Sequence, residues 1–360
     1  TQINAPLNTS FQSNGGFTSK LFGKKFGGTF GIMYNRSFRN LDLLNRANVI
    51  DENTYEVSIV SSYNDRKYQQ EISAGALGSV SLQLNSFNKI SVKSILNINS
   101  SNSVSQRNGE DFSRQDQLKG SEFTFKQNTF FTVQANGEHR LIKPLTFKWY
   151  GAFNILDGHI PDQRRILYSK EAGTQHPYRL LISNTLSQQS GSRIYQSLSD
   201  YIYTAGGDLS YKFKWLEQNQ TLKGGYMLQV KDRLYDAKLF ANYLPLDNDA
   251  LRLLPADQIF LPENFGDGTA NKFAFDAIKG NTFRYLANTI LNAGFLQLDN
   301  EFTKNLRVVW GLRVENYDQL VGSVKQSDPR HTRTQVTDFL PGMNATYKIN
   351  QNTNLRLSGS

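Results

Sequence analysis

The run LDGHIPDQRRILYSKEAGTQHPYR at 156–179 gathers Asp162, Arg164, Arg165 and His176, with Asp157, His159 and Arg179 close by. Adjacent guanidinium groups beside a carboxylate suit an anionic or sugar-like ligand, which they hold through paired hydrogen bonds. The plain alternative is a loop whose ions pair with one another or meet an anionic surface. A second set, Asp247-Asn248-Asp249, offers oxygen ligands at the short spacing that calcium takes. It lacks the loop of about 12 residues with its central glycine and closing glutamate, so no metal is assigned.

Four histidines, at 139, 159, 176 and 331, have no zinc-like spacing, and the sequence has no cysteine. His159 or His176 with Asp162 imitates an acid–base pair, but no serine stands in a nucleophile motif, so the reading is not an enzyme and implies no cofactor. The pairs Gly15-Gly16, Gly27-Gly28, Gly206-Gly207 and Gly224-Gly225 lie in no strand–loop–helix unit. They read as bends or close-packing points rather than phosphate cradles.

The elements that position these residues alternate with period two. In 201–213 Tyr201, Tyr203, Ala205, Gly207, Leu209, Tyr211 and Phe213 oppose Thr204, Asp208, Ser210 and Lys212. In 306–315 Leu306, Val308, Trp310, Leu312 and Val314 oppose Arg307, Arg313 and Glu315. The runs 90–98, 145–154 and 222–231 behave alike. Segment 288–299 is apolar on both parities, and alternation alone assigns it no outward side. The mean hydropathy of −0.50 and the absence of any run of about 18 apolar residues exclude membrane helices but not membrane strands, which need only about ten alternating residues. The net charge of +9 is spread along all 360 residues without a dense block, which argues against nucleic acid.

Connections alternate in length. Short turns stand near 23–25, 85–88, 142–144, 216–220, 301–305 and 350–353. Long polar stretches fall near 40–54, 100–118, 156–192, 241–281 and 320–333. A meander with short turns at one end and long loops at the other is the plan of an outer-membrane barrel. A soluble β-sandwich is the alternative. About twelve strands are expected. Trp149, Tyr211, Trp215 and Trp310 then read as aromatics at the membrane interface, Trp215 best because it stands beside a short turn. After the turn at 350–353 a new alternation begins at Leu355 with six residues to run, which reads as the middle of a larger barrel.

The runs YLANTILNAGFLQLDNEFTKNLRVVWGLRVENYDQ (285–319) and DFLPGMNATYKINQNTNLRLS (338–358) resemble the barrel of a TonB-dependent outer-membrane receptor of the Bacteroidetes type. FGKKFGGTFGIMYNRSF (22–38) and LDGHIPDQRRILYSK (156–170) are similar to strands and an outer loop of the same family. The resemblance implies an all-β fold, an antiparallel transmembrane β-barrel of about 22 strands. The chain, one partial barrel domain over 1–360, supplies about twelve of them, and no plug is read in it. It implies the outer membrane of a Gram-negative cell, contact with outer-membrane lipids and lipopolysaccharide, and TonB engaged through segments outside this sequence. The implied activity is import of a bulky nutrient: oligosaccharide, peptide or iron chelate. Two alternatives stay open. One is a structural subunit of an outer-membrane complex, for which the apolar loop 243–273 would seat a surface lipoprotein. The other is a passive, porin-like channel.

Overall fold

The computed structural model describes all residues except 1–3, 216, 267–270, 281–282, 323–326 and 328–330. Leu216, part of one short turn, and portions of the stretches at 241–281 and 320–333 therefore lie outside the described residues.

The chain runs as an antiparallel meander: β1 (Thr9–Leu21), β2 (Lys24–Ile50), β3 (Val57–Asn85), β4 (Asn88–Asp111), β5 (Asp116–Ile142) and β6 (Leu145–Glu171). It continues through β7 (Arg179–Leu180), β8 (Ser192–Trp215), β9 (Gln218–Tyr243), the helical turn α1 (Asp249–Arg252) and a 3-10 turn at Pro262–Asn264. The remaining elements are β10 (Ala274–Ile278), β11 (Arg284–Glu301), β12 (Leu306–Gly322), β13 (Thr332–Lys348) and β14 (Asn354–Gly359). Among the described residues all fourteen strands belong to one sheet. Twelve lie side by side from β1 to β14, while β7 adds to β6 and β10 to β9.

The expected transmembrane β-barrel is corrected here. The sheet is open: β1 pairs with β2 and β14 with β13, and the two edges do not pair with each other among the described residues. Alternation dictates strand and face, but closure demands a register between first and last strands, and alternation carries no information on that pairing. The strands are also longer than the ten residues that alternation suggests. β2 to β6, β8 and β9 run for 24 to 29 residues. Much of 40–54, 100–118 and 156–192 is therefore ladder rather than loop.

Register shows why the sheet has two unlike faces. One row of directly opposed residues across β2 to β13 reads Phe26, Leu82, Ile90, Gly137, Trp149, Gly207, Tyr226, Gly294, Val314 and Phe339. The row beside it, on the other face, reads Lys25, Gln83, Lys89, Glu138, Lys148, Asp208, Gly225, Phe295, Arg313 and Leu340. Side chains one residue apart in a strand point to opposite faces, so the first row defines an apolar face and the second a polar one. The same register places the ambiguous segment. Ile290, Leu296 and Leu298 join the apolar face, and Leu291, Ala293 and Phe295 the polar one.

Large hydrophobics on the apolar face remain uncovered, among them Phe30, Tyr226, Leu296, Trp310 and Phe339. The buried cluster is elsewhere, at the long-loop end. Tyr168, Leu180, Leu244, Ile259 and Phe273 pack there beneath the 244–278 loop. Each fully buried Leu, Ile or Phe in such a cluster contributes about 1.5–3 kcal/mol, which is what holds this loop on the strands. At the opposite end, Phe22 (φ 50°) and Gly23 (φ 73°) form a two-residue hairpin with both central residues left-handed, the geometry that matches strand twist.

Candidate functional site

The sheet offers three chemical zones, and the sequence-derived residues divide among them. The first is the polar face. Asp200, with a side chain only 2% exposed, receives Arg233 through two bonds of 2.7 Å and Lys231 at 3.0 Å. Asp65 holds Arg107 in the same forked way at 2.8 and 2.7 Å. Lys223 meets Asp208 at 3.3 Å and Arg313 meets Glu315 at 2.6 Å. Across the middle of β3 to β6 this face changes to neutral amides and hydroxyls, such as Ser73, Asn99, Asn128, Gln134 and Asn136. An apolar patch interrupts it, where Leu77 faces Ile95 and Phe130 faces Leu156.

The second zone lies at the long-loop end of β5, β6 and β8. Pro161 has no N–H to give a neighbour, and the ladder of β6 loses register beside it on both sides, against β5 and against β8. Two residues, Pro161 and Asp162, oppose Tyr195 alone, which is a bulge. The extra residue moves Asp162 and Arg164 from the polar parity to the parity of the apolar face. There Arg164 stands opposite Phe123 and Arg193. Asp162 accepts from Arg164 Nε at 2.6 Å and from Arg193 at 3.1 and 2.7 Å. Burial alone would raise its carboxyl, but the bonds and charges of Arg193 and Arg164 hold it below the usual carboxylate range.

Asp162, Arg164, Arg165 and Arg193 line a cavity of about 870 Å³. Phe123, Phe125 and Phe275 come to it from the strands, and Ala256, Phe260 and Phe265 from the loop. Arg165 is taken up by Glu122 at 2.6 Å, on the polar parity. His176 is not brought to the cavity. It is exposed and stands 3.9 Å from Glu171. Of the four sequence-derived candidates, three therefore line one cavity. Arg193, Phe125 and Phe260 were not among them. Arg193 lies 31 residues from its partner Asp162, and a contact at that separation leaves no local pattern.

The loop that roofs this cavity is held by directed bonds as well as by its core. Tyr168 Oη donates to Leu254 O at 2.9 Å. Burial, with a smaller push from Asp257, raises the Tyr168 phenol to about 12. Asn248 caps α1 by accepting from Leu251 N at 3.3 Å. Arg252 donates to Asp247 at 2.9 Å and to Leu180 O at 3.1 Å, and Arg179 pairs with both Asp247 and Asp249. The acidic run 247–249 thus works as a loop clamp. Among the described residues no group of three or more His, Cys, Asp or Glu is placed to hold a metal.

The third zone is the short-turn end of the apolar face. Trp149 lies over Gly137, where a Cβ would meet the indole nitrogen at 2.1 Å. Its Nε1 donates to His139 Nε2 at 3.0 Å. His139 Nδ1 must then carry the proton that it shares with Asn88 Oδ1, 2.7 Å away. Trp310 repeats the device: Nε1 donates to Asn300 Oδ1 at 2.9 Å, and Asn300 donates to Gln220 Oε1 at 2.7 Å. Tyr211 stacks on Phe213 with ring centroids 5.9 Å apart. Trp215 is half exposed beside its turn. All four sequence-derived aromatics share this face. The partners His139, Asn300 and Gln220 carry no signal in the sequence that links them.

Residues 263–360 match the profile of a family described as "Outer membrane protein beta-barrel family". No curated protein matches. Among solved structures, the siderophore receptor PiuA from Acinetobacter baumannii superposes with a TM-score of 0.50 at 10% identity, covering 96% of this chain and 45% of that one. FpvA from P. aeruginosa, bound to a heterologous pyoverdine and iron, gives a TM-score of 0.49 at 13% identity, covering 96% and 40%. The chain therefore spans less than half of the receptors that it resembles, and the first of these likenesses establishes a shared strand architecture. The profile match over 263–360 supports an outer-membrane location.

Proposed function

We propose that this sheet is the membrane-crossing part of an outer-membrane receptor that imports a bulky nutrient, energised through TonB. The observation that carries the reading is the division between faces. One side presents a band of uncovered hydrophobics to lipid, and the other presents ion pairs and amides to a hydrated passage. The strand architecture shared with a siderophore receptor and the outer-membrane profile over 263–360 support it. The Bacteroidetes type rests on the resemblance of 285–319 and 338–358. TonB is engaged by parts of the receptor other than this sheet, and lipid and lipopolysaccharide meet the apolar face.

Trp149, Tyr211, Trp215 and Trp310 serve as its interfacial aromatics. Asp162, Arg164 and Arg165 serve at the long-loop end, and His176 belongs to the same rim. The neutral amide zone of β3 to β6 suits an oligosaccharide or peptide as well as an iron chelate.

Growth of a deletion strain on panels of these nutrients, with and without a collapsed proton gradient, tests the reading. Uptake that depends on both the gene and the gradient is expected. Gene-dependent uptake that survives loss of the gradient means a passive channel instead.

A second reading, a subunit that seats a surface lipoprotein on 243–273, is favoured by the exposure of Leu246, Leu253 and Leu261 on that loop. Replacing these three by Ser should release a co-purifying lipoprotein without altering uptake. Retention of the lipoprotein would remove the loop from that role.

A further inference from the structure

We propose that the cavity beneath the 244–278 loop binds an anionic amphiphile, its apolar body against the phenylalanines and its acidic head on Arg164 and Arg193. The Pro161 bulge brings this about. It turns Asp162 and Arg164 onto the parity that, nearer the short turns, carries the uncovered hydrophobics. The cavity and the apolar band therefore share one face of the sheet, and a molecule with an apolar body can bridge them.

Two guanidinium groups meet one carboxylate here, which leaves one positive charge over. Arg164 donates to Asp162 only through Nε, and its terminal nitrogens have no partner among the described residues. Arg164 lines the cavity, and a planar guanidinium is the side chain best suited to a phosphate or carboxylate.

The apolar wall is equally specific. Phe123, Phe125 and Phe275 keep a third to a half of their surface exposed. Phe275 stacks on Phe240 with centroids 5.4 Å apart, and Phe260 and Phe265 close the roof. Gly191, in the left-handed region at φ 67°, lets Phe260 approach, since a Cβ there would sit 3.2 Å from the ring. A volume of about 870 Å³ falls within the range of ligand cavities, about 300–1,000 Å³.

The proposal shares Asp162 and Arg164 with the uptake reading, but its test reads binding and not uptake, so either can fail alone. The probe is octyl phosphate below its micelle concentration, titrated by calorimetry into the protein in lipid nanodiscs. Inorganic phosphate and octyl glucoside serve as head-only and neutral-head controls. Octyl phosphate should bind at least tenfold tighter than either control. R164Q should weaken it about tenfold, the worth of one charge-assisted bond. F125A keeps every ion pair and should weaken it several-fold, so a loss in R164Q cannot be put down to misfolding alone.

Native mass spectrometry then identifies the source. An anionic lipid retained on the wild type from outer membranes and shed by R164Q assigns a membrane occupant. An empty cavity that takes up octyl phosphate assigns a diffusible one. Equal binding of octyl phosphate and octyl glucoside, or wild-type binding by both variants, would overturn the proposal.

Discussion

The two ends of the apolar face solve opposite problems with the same alternation. At the short-turn end, strands keep register, and Trp149 and Trp310 lay their rings on the face while His139 and Asn300 satisfy the indole nitrogens. That arrangement suits a boundary that is apolar on one side and wet on the other. At the long-loop end, one proline shifts β6 by a residue and places a charged trio on the same parity. A folded loop then covers it. The difference shows that face identity in a long strand holds only between bulges, and that a single residue can convert a lipid-like surface into a binding-like one.

The largest effect should come from the roof of the long-loop end. Phe273 is fully buried in the loop core, so Phe273→Ala should destabilise that loop by about 3–5 kcal/mol. Limited proteolysis should show cleavage within 244–278 while β2 to β9 stay protected. If the loop resists protease as the wild type does, the buried cluster does not hold it.

Next is the bulge. Pro161→Val restores the missing N–H and should let β6 run in register through residue 161, returning Asp162 and Arg164 to the polar parity and parting Asp162 from Arg193. A double-mutant cycle on Asp162 and Arg193 should give a coupling of about 1.5–3 kcal/mol in the wild type and nearly none in the Pro161→Val background. Coupling that survives would mean that the bulge does not set the face.

The short-turn end should respond less. Trp149→Phe keeps the ring and loses one neutral bond to His139, at a cost of about 1 kcal/mol, read as a lower denaturant midpoint in bilayers. The smallest effect is that of pH on the trio. Asp162 titrates below the ordinary carboxylate value, so its stabilisation is complete above about pH 4 and is lost as pH falls through its lowered value. Hydrogen-exchange protection around 160–166, corrected for the intrinsic rate at each pH, should be flat from neutral pH to about 5 and fall only in stronger acid. A fall already near pH 6 would point to a histidine instead.

Much of the fold was legible because its signals are local. Period-two alternation marks strands wherever it recurs, and the sorting of short turns from long stretches marks a meander. Trp149, Tyr211, Trp215 and Trp310 share a face because each lies on the apolar parity of its own strand. What was illegible depends on pairing. Closure is a contact between the ends of a sheet, and the open edge at β1 and β14 has no local signature. Segment 288–299 could be assigned only once Leu296 was seen opposite Gly224 and Leu312. The polar continuation of β6 to Glu171 looked like loop, since Asp and Arg are common in loops and its bulge breaks the period. The site was half legible for the same reason: Asp162, Arg164 and Arg165 are neighbours in sequence, whereas Arg193 and the loop phenylalanines reach them only through the fold.

The central claim is that one face meets lipid and the other meets water. The chain has no cysteine, so single replacements report without background. Leu296→Cys and Gln297→Cys, adjacent in β11 and on opposite faces, should be labelled in outer membranes with a membrane-impermeant maleimide and, separately, with a lipid-soluble one. The account predicts that position 297 reacts with the impermeant reagent and that position 296 reacts only with the lipid-soluble one. Equal reaction of both with the impermeant reagent, or the reverse pattern, would contradict it.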